Sequence, residues 1–348
     1  MSQDIIKLPD RPRILVARTD RIGDVVLSLP VFTSLKTFFP RAYLCALTRS
    51  YTKDLLLSRP DVDEVISFDS KNAAIPFGEF PRLLKEVRKR KFDAAVILYS
   101  NFSVAALAAM AGIPCRVGPA SKVAQVFLTQ RVIQRRSKNL VHEADHNLNL
   151  LKPFGVTPIR VPFLLAPKPP LILLQRTEGR PLIGVHPGHG GSSRNWPEER
   201  YAQLCAQLYD SGCDVVVTGS AAEKPLVERI VAASGKPARK FIGSGPLPEL
   251  VSALSQLDVF VASSTGPLHI ASAVGTPVVG LYCPIFACLP QRWGPIGPKD
   301  TALSPKVEPC MRCTPRKCLH FDCMEKIEVR LVRDAALGKV SPVMELAR

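Results

Sequence analysis

Residues Val259–Tyr282 read VFVASSTGPLHIASAVGTPVVGLY. The apolar run Val259–Ala262 is short enough for a buried strand. Three hydroxyl residues and Gly266 follow it, and Pro267 stands at the preferred opening of a helix that runs to about Val274. Gly275-Thr276-Pro277 then breaks the helix, and Val278–Leu281 forms a second apolar strand. Strand, polar turn, helix and strand within 24 residues is the βαβ unit of a parallel sheet.

Outward from this unit the same alternation covers the chain. Strands are expected at Arg13–Ala17, Ala42–Leu47, Glu64–Phe68, Ala94–Leu98 and Arg116–Gly118, and again at Leu182–His186 and Asp214–Thr218. Helices are expected near Val25–Phe38 (kinked at Pro30), Thr52–Ser58, Glu79–Lys91, Val104–Ala111, Pro197–Asp210, Ala222–Ala233 and Leu247–Leu254. Five prolines between positions 162 and 181 read as a linker. The expected fold is therefore α/β, with two Rossmann-like domains, 1–167 and 168–348, facing each other across a cleft. A C-terminal helix is expected to pack back on the first domain.

The 348 residues carry a net charge of +16, and 46% of them are hydrophobic. No apolar run approaches the roughly 18 residues of a membrane span. The opening MSQDIIKLPDRPR lacks a signal-peptide core, so a cytoplasmic location is expected. Residues 1–170 hold 26 Lys/Arg against 14 Asp/Glu. That excess suits an anionic partner, although a solvated basic surface reads the same way. Few aromatics and no stacking motif argue against nucleic acid.

Four further motifs carry chemistry. In RTDRIGDVVLSLP, Arg18–Pro30, Asp24 falls at the carboxyl edge of the first strand. It can take a proton from an attacking hydroxyl, or simply cap the following helix. After the strand ending at His186 comes PGHGGSSRNWP. The N–H groups of Gly188 and its neighbours, Ser192, Ser193 and Arg194 suit phosphate oxygens, but a flexible connection is equally a Gly-rich loop. Past Gly219, Glu223 suits ribose hydroxyls or the first turn of a helix. In the opening motif, Ser264, Thr265, Gly266 and Pro267 build a helix start that favours an anion, and His269 is either a ligand or a structural side chain. The last motif is Cys310-x2-Cys313-x4-Cys318-x4-Cys323, with His320 nearby. It allows a closed structural zinc site or reduced packing thiols. The six other cysteines, Cys283 and Cys288 among them, read as buried small hydrophobes.

Together, RTDRIGDVVLSLP, the SRNWP region and SSTGPLHIASAVGTPVVGLY resemble glycosyltransferase family 9, the heptosyltransferases of lipopolysaccharide core assembly, over Arg13 to about Val332. The resemblance implies a GT-B fold and inverting transfer from a nucleotide sugar with no cofactor and no catalytic metal. It implies Asp24 as general base, Arg194 on the donor diphosphate, Glu223 on the ribose, and Ser264-Thr265-Gly266 with His269 at the donor. Ser264 replaces the family's usual Asp. ADP-heptose is the implied donor, and an anionic lipid-linked saccharide is the implied acceptor. Arg18 and Arg21 are expected to contact that acceptor, with the enzyme peripheral on the inner face of the cytoplasmic membrane and the run KEVRKRKF, Lys85–Phe92, as a candidate contact. Other readings are a family member using a different nucleotide sugar for O-antigen or capsule, a noncatalytic basic binding protein, and a zinc protein that lost catalysis.

Overall fold

The structure, a computed structural model, describes residues 5–191, 194–311, 313 and 321–340. The chain divides into two compact units, Met1–Leu165 and Ala166–Arg348.

Six strands form the sheet of the first unit: β1 Arg13–Ala17, β2 Tyr43–Arg49, β3 Glu64–Phe68, β4 Ala94–Ile97, β5 Cys115–Pro119 and β6 Gln130–Val132. All pair in parallel, in the order β3-β2-β1-β4-β5-β6. The central strands are largely apolar because both faces are covered, and β1 and β4 carry the runs Ile14–Ala17 and Ala94–Ile97. The helices are α1 Ile22–Val26, α2 Leu29–Phe38, α3 Asp54–Leu57, α4 Phe80–Lys89, α5 Phe102–Met110 and α6 Glu143–Leu148.

The second unit repeats the design with β7 Leu182–His186, β8 Asp214–Ser220, β9 Arg239–Gly243, β10 Val259–Ser263, β11 Val278–Leu281 and β12 Thr301–Leu303, ordered β12-β11-β10-β7-β8-β9. Counted from its own first strand, this order is the same 3-2-1-4-5-6 as in the first sheet. Its helices are α7 Glu198–Asp210, α8 Lys224–Ser234, α9 Leu247–Leu254, α10 Gly266–Ala273, α11 Pro290–Trp293 and α12 Val329–Leu337. In each unit the winding reverses between the first and fourth strands, β1/β4 and β7/β10. Their carboxyl ends are the places where such sheets bind ligands.

Several sequence expectations are corrected. The single kinked helix over Val25–Phe38 is two helices, because Pro30 sits in the first turn of α2 and the chain breaks at Leu27–Ser28 instead of bending. Strands β6, β9 and β12 were not expected. They are edge or near-edge strands of three to five residues, polar in part, and too short to show a period. The proline-rich stretch is pinned: Leu171 and Leu174 donate backbone N–H groups to Ser252 Oγ (3.0 Å) and Gln256 Oε1 (3.1 Å) at α9. The helix α12 packs on α7 of its own unit, and buries Val329, Val332 and Ala336 there.

Gly184 lies on β7 beside β10. A Cβ at this position would stand 2.5 Å from Leu257 Cδ1 and 2.7 Å from Phe260 Cδ2. Gly184→Val is therefore expected to lower stability by about 1–3 kcal/mol through overpacking, read as a lower urea midpoint. An unchanged midpoint would mean that β10 moves aside without cost.

Candidate functional site

In the first unit the turn after β1 is organised by one buried cation. Arg18, 4% exposed, directs Nε to Asp20 Oδ1 (2.6 Å), Nη2 to Asp24 Oδ1 (2.6 Å), and Nη1 to Glu143 Oε1 (3.1 Å) and Asn147 Oδ1 (2.8 Å). Glu143, fully buried on α6, takes a second charge-assisted bond from Arg136. Asn147 returns a bond to Leu27 O (3.1 Å), which ties α6 to the end of α1. Arg18 was expected to contact the acceptor; its Nε, Nη1 and Nη2 each bond a side chain of its own unit. Arg21, at the N-cap of α1, is exposed and forms no ion pair among the described residues.

Asp24 is not the cap of its helix; it is the third residue of α1, within the first turn. Its side chain is 16% exposed. Burial pushes its carboxyl up to about 6, with Asp20 and Glu143 adding to the rise and Arg18 opposing it. A carboxylate with its proton affinity raised toward neutrality, one oxygen fixed and the other without a bond among the described residues, is suited to accept a proton. Across the switch point, Asn101 caps α5 through Val104 N (3.3 Å), and the Tyr99 ring lies 5.8 Å from the Arg18 guanidinium carbon.

In the second unit the loop after β7 passes directly over two side chains. A Cβ at Gly188 would lie 2.1 Å from Glu223 Oε1 and 2.8 Å from His186 Nε2, so any larger residue would have to displace these side chains. Gly190 and Gly191 adopt φ of +55° and +70°, which a side chain would strain. Ser192 and Ser193 lie outside the described residues. His186 Nδ1 is fixed by Thr218 O (3.1 Å) and Thr218 Oγ1 (3.0 Å). Burial lowers its proton affinity against the pull of Glu223, so the ring is neutral near pH 7. Glu223 Oε2 accepts from Ser220 N (2.9 Å) and Ser220 Oγ (2.8 Å), which closes a capping box at the end of β8 just past Gly219. Burial pushes the Glu223 carboxyl up, but the Ser220 bonds and His186 outweigh it and hold it below its usual range. Glu223 is thus both a cap and a carboxylate whose second oxygen faces the loop.

Arg194 pairs with no carboxylate among the described residues. Its guanidinium carbon stacks 3.5 Å from the centroid of the Phe321 ring, and Nη1 lies 3.9 Å from Cys313 Sγ. A stacked but unneutralised guanidinium keeps its fork available for an anion. After β10, Ser264 N bonds Leu281 O (3.1 Å), and Thr265 is the N-cap of α10 with no side-chain capping bond. Its Oγ1 is buried with no hydrogen-bond partner among the described residues, beside the first helical residues Gly266 and Pro267. His269 is buried on the fourth residue of α10.

Sequence reasoning missed the fasteners between these parts. Asn195 donates to Pro187 O (2.6 Å) and accepts from Ser263 Oγ (2.6 Å) and Tyr201 OH (3.1 Å), which joins the β7 loop to the end of β10. Trp196, 2% exposed, donates to Ile327 O (3.0 Å) and meets the Tyr201 ring edge-on. A buried Trp and Tyr, each needing a polar partner, was the available signal. Cys283 is more than a small hydrophobe. The Cys288 thiol and the N–H groups of Ile285 and Arg194 hold its own thiol down to about 6. Of the proposed zinc ligands, Cys318 lies outside the described residues, as does His320. Cys323 is buried in the core beneath α12, and no group of three or more His, Cys, Asp or Glu among the described residues could hold a metal. No described helix is long and apolar enough to cross a membrane.

Residues 80–323 match the model of Glycosyltransferase family 9 (heptosyltransferase). A putative glycosyltransferase of Haemophilus influenzae is 31% identical over 306 residues, covering 83% of this chain and 87% of that protein. Lipopolysaccharide heptosyltransferase 2 of Escherichia coli K12 is 29% identical over 293 residues, covering 78% and 83%. The crystal structure of E. coli ADP-heptose lps heptosyltransferase II superposes with a TM-score of 0.77 at 22% identity, covering 94% of this chain and 98% of that one, a likeness of fold. With two parallel Rossmann sheets of matching order, a family model spanning most of the chain and a relative above 30% identity, the chain belongs to glycosyltransferase family 9, is a transferase enzyme, and has the GT-B fold.

Proposed function

We propose that this enzyme transfers heptose from ADP-heptose to an anionic lipid-linked saccharide of the lipopolysaccharide core, with Asp24 as general base. The observation that carries this reading is the raised Asp24 carboxylate, held by Arg18 at the ligand-binding edge of the first sheet. The names of the relatives supply the sugar. The curated E. coli relative is a lipopolysaccharide heptosyltransferase, and the superposed structure is that of an ADP-heptose enzyme.

The step is a single displacement. An acceptor hydroxyl oxygen attacks the anomeric carbon as its proton passes to Asp24 Oδ2. The bond from that carbon to the diphosphate oxygen breaks, and ADP leaves with the electron pair. Arg18 fixes Oδ1, so that Oδ2 needs no reorientation to take the proton. Arg194, the loop at Gly188 and the opening of α10 at Thr265–Gly266 neutralise charge growing on the leaving diphosphate. Glu223 accepts from the ribose hydroxyls, while neutral His186 shapes the floor under the loop. Arg21, exposed next to the turn, meets the anionic acceptor. Ser264, where the family usually has Asp, offers a hydroxyl and not a charge to the donor. No cofactor enters the step, and the acceptor places the enzyme at the inner face of the cytoplasmic membrane.

Asp24→Asn is expected to lower the transfer rate by about 10²–10⁴-fold while ADP affinity stays within a factor of two. Transfer at the native rate would remove Asp24 as the base. In the native enzyme kcat/KM for the acceptor should fall as pH drops through about 6, because the carboxylate is the reactive form. Arg18→Met, which removes the cation favouring that form, should move the inflection upward; an inflection that stays put or moves down would contradict the pairing. Arg194→Ala should weaken ADP binding by about 10–100-fold by calorimetry, the worth of one charge-assisted bond. In the same assay ADP-, GDP- and UDP-sugars compete for the native protein. Preference for a GDP- or UDP-sugar would replace ADP-heptose as the donor.

A further inference from the structure

Between Asp93 and Glu143 lie 49 residues without a single carboxylate, and six of them are Lys or Arg. Arg116 and Arg136 of this stretch are consumed internally, by Phe127 O (2.6 Å) and by Glu143. The other four, Lys122, Arg131, Arg135 and Lys138, are exposed and form no ion pair among the described residues. The same stretch puts large apolar side chains into solvent: Ile133 is 81% exposed, Leu140 82%, Val123 67% and Val126 61%.

The topology brings these together. Strands β5 and β6 are parallel neighbours at the outer side of the first sheet, with Pro119 opposite Val132 and Ala120 N bonded to Val132 O (2.8 Å). Lys122 and Val123 therefore leave the same carboxyl edge as Ile133 and Arg135. Leu140 lies on the segment that leads from there into α6, the helix that holds Glu143. The patch adjoins the Asp24 turn, since the Tyr99 ring lies 5.3 Å from Lys122 Nζ and 5.8 Å from the Arg18 guanidinium carbon.

Exposed aliphatic side chains interleaved with unpaired cations, with no acid among them, fit an interface that is negative at its surface and apolar just below. We infer that the corner 121–141 is a docking surface for an anionic phospholipid bilayer, with Ile133 and Leu140 entering the headgroup–acyl boundary and Lys122 and Arg135 meeting lipid phosphates. The run KEVRKRKF fits this role less well. It lies along α4, where Leu83 and Val87 face the core, Arg82 pairs with Glu79 and Glu86, Arg88 bonds Met110 O and Arg90 pairs with Glu64. Docking by the 121–141 corner holds the bilayer beside the Asp24 turn, where a saccharide growing on a lipid must be reached. That consequence rests on the proposed lipid-linked acceptor; the docking itself does not.

The experiment is co-sedimentation of the full chain with vesicles of phosphatidylethanolamine and phosphatidylglycerol (7:3), without donor or acceptor, next to pure phosphatidylcholine vesicles. The native protein is expected to pellet with the anionic vesicles, less so at high salt, and to stay in solution with the neutral ones. The pairs Ile133→Ser/Leu140→Ser and Lys122→Glu/Arg135→Glu change exposed side chains. Each should lose binding by about tenfold or more. Transfer to an acyl-free acceptor saccharide should be unchanged in both, while KM for acceptor presented in vesicles rises. Vesicle binding kept by both variants would overturn the inference. So would native lipid binding with loss of transfer to the acyl-free saccharide, which would make the corner a sugar subsite, or conversion of a native dimer to monomer by either pair. If the protein binds vesicles as expected but transfers no heptose, the proposed reaction fails and the docking surface stands.

Discussion

A guanidinium that is almost wholly removed from water must be surrounded by acceptors, and Arg18 has recruited four: Asp20, Asp24, Glu143 and Asn147. Burying an ion costs several kcal/mol, recovered only with close partners and satisfied hydrogen bonds, and removing one partner from such a set typically costs about 3–5 kcal/mol. The first unit depends on this arrangement because it joins segments 125 residues apart: the turn after β1 and the helix α6. It also sets the chemistry. One cation shared among three carboxylates leaves Asp24 incompletely compensated, so burial prevails and its proton affinity rises. Arg136, on Glu143 from the other side, keeps the fully buried carboxylate from standing unpaired.

The second unit has the same strand order but treats its switch point in the opposite manner. Where the first unit surrounds its arginine with acceptors, the second stacks Arg194 on Phe321 with no carboxylate, and leaves the Thr265 hydroxyl with no hydrogen-bond partner, among the described residues. A group already satisfied holds geometry; a group left unsatisfied keeps hydrogen-bonding capacity. The loop bearing Arg194 is nonetheless well anchored, by Asn195 to Ser263 and by Trp196 to Ile327. Positioning donors in advance in this way spares the reorganisation that a mobile loop would need as charge develops.

The surface follows a similar division. Cations near carboxylates, as on α4, lose their long-range reach through pairing. The acid-free stretch before α6 keeps its charge and exposes aliphatic side chains as well. Arg136 reaches inward to Glu143 from the same connection that exposes Ile133, Arg135 and Leu140.

Much of this was legible in the sequence. The central strands announced themselves because a strand buried on both faces must be largely apolar, and β1, β7 and β11 fell on the expected residues. The glycine-rich loop, the hydroxyl triplet and Asp24 were visible because turns after parallel strands demand particular residue types at fixed offsets. Partners distant along the chain were not visible. Nothing in local spacing says that Arg18 belongs to Glu143, that Asn195 bonds Ser263, that Pro30 divides a helix or that α12 returns to α7, because those pairings are chosen by which elements the fold brings into contact. The sequence determined which groups exist and what regular structure they prefer. Tertiary structure decided which charges are spent on each other and which are left for a ligand, because desolvation and pairing depend on neighbours in space.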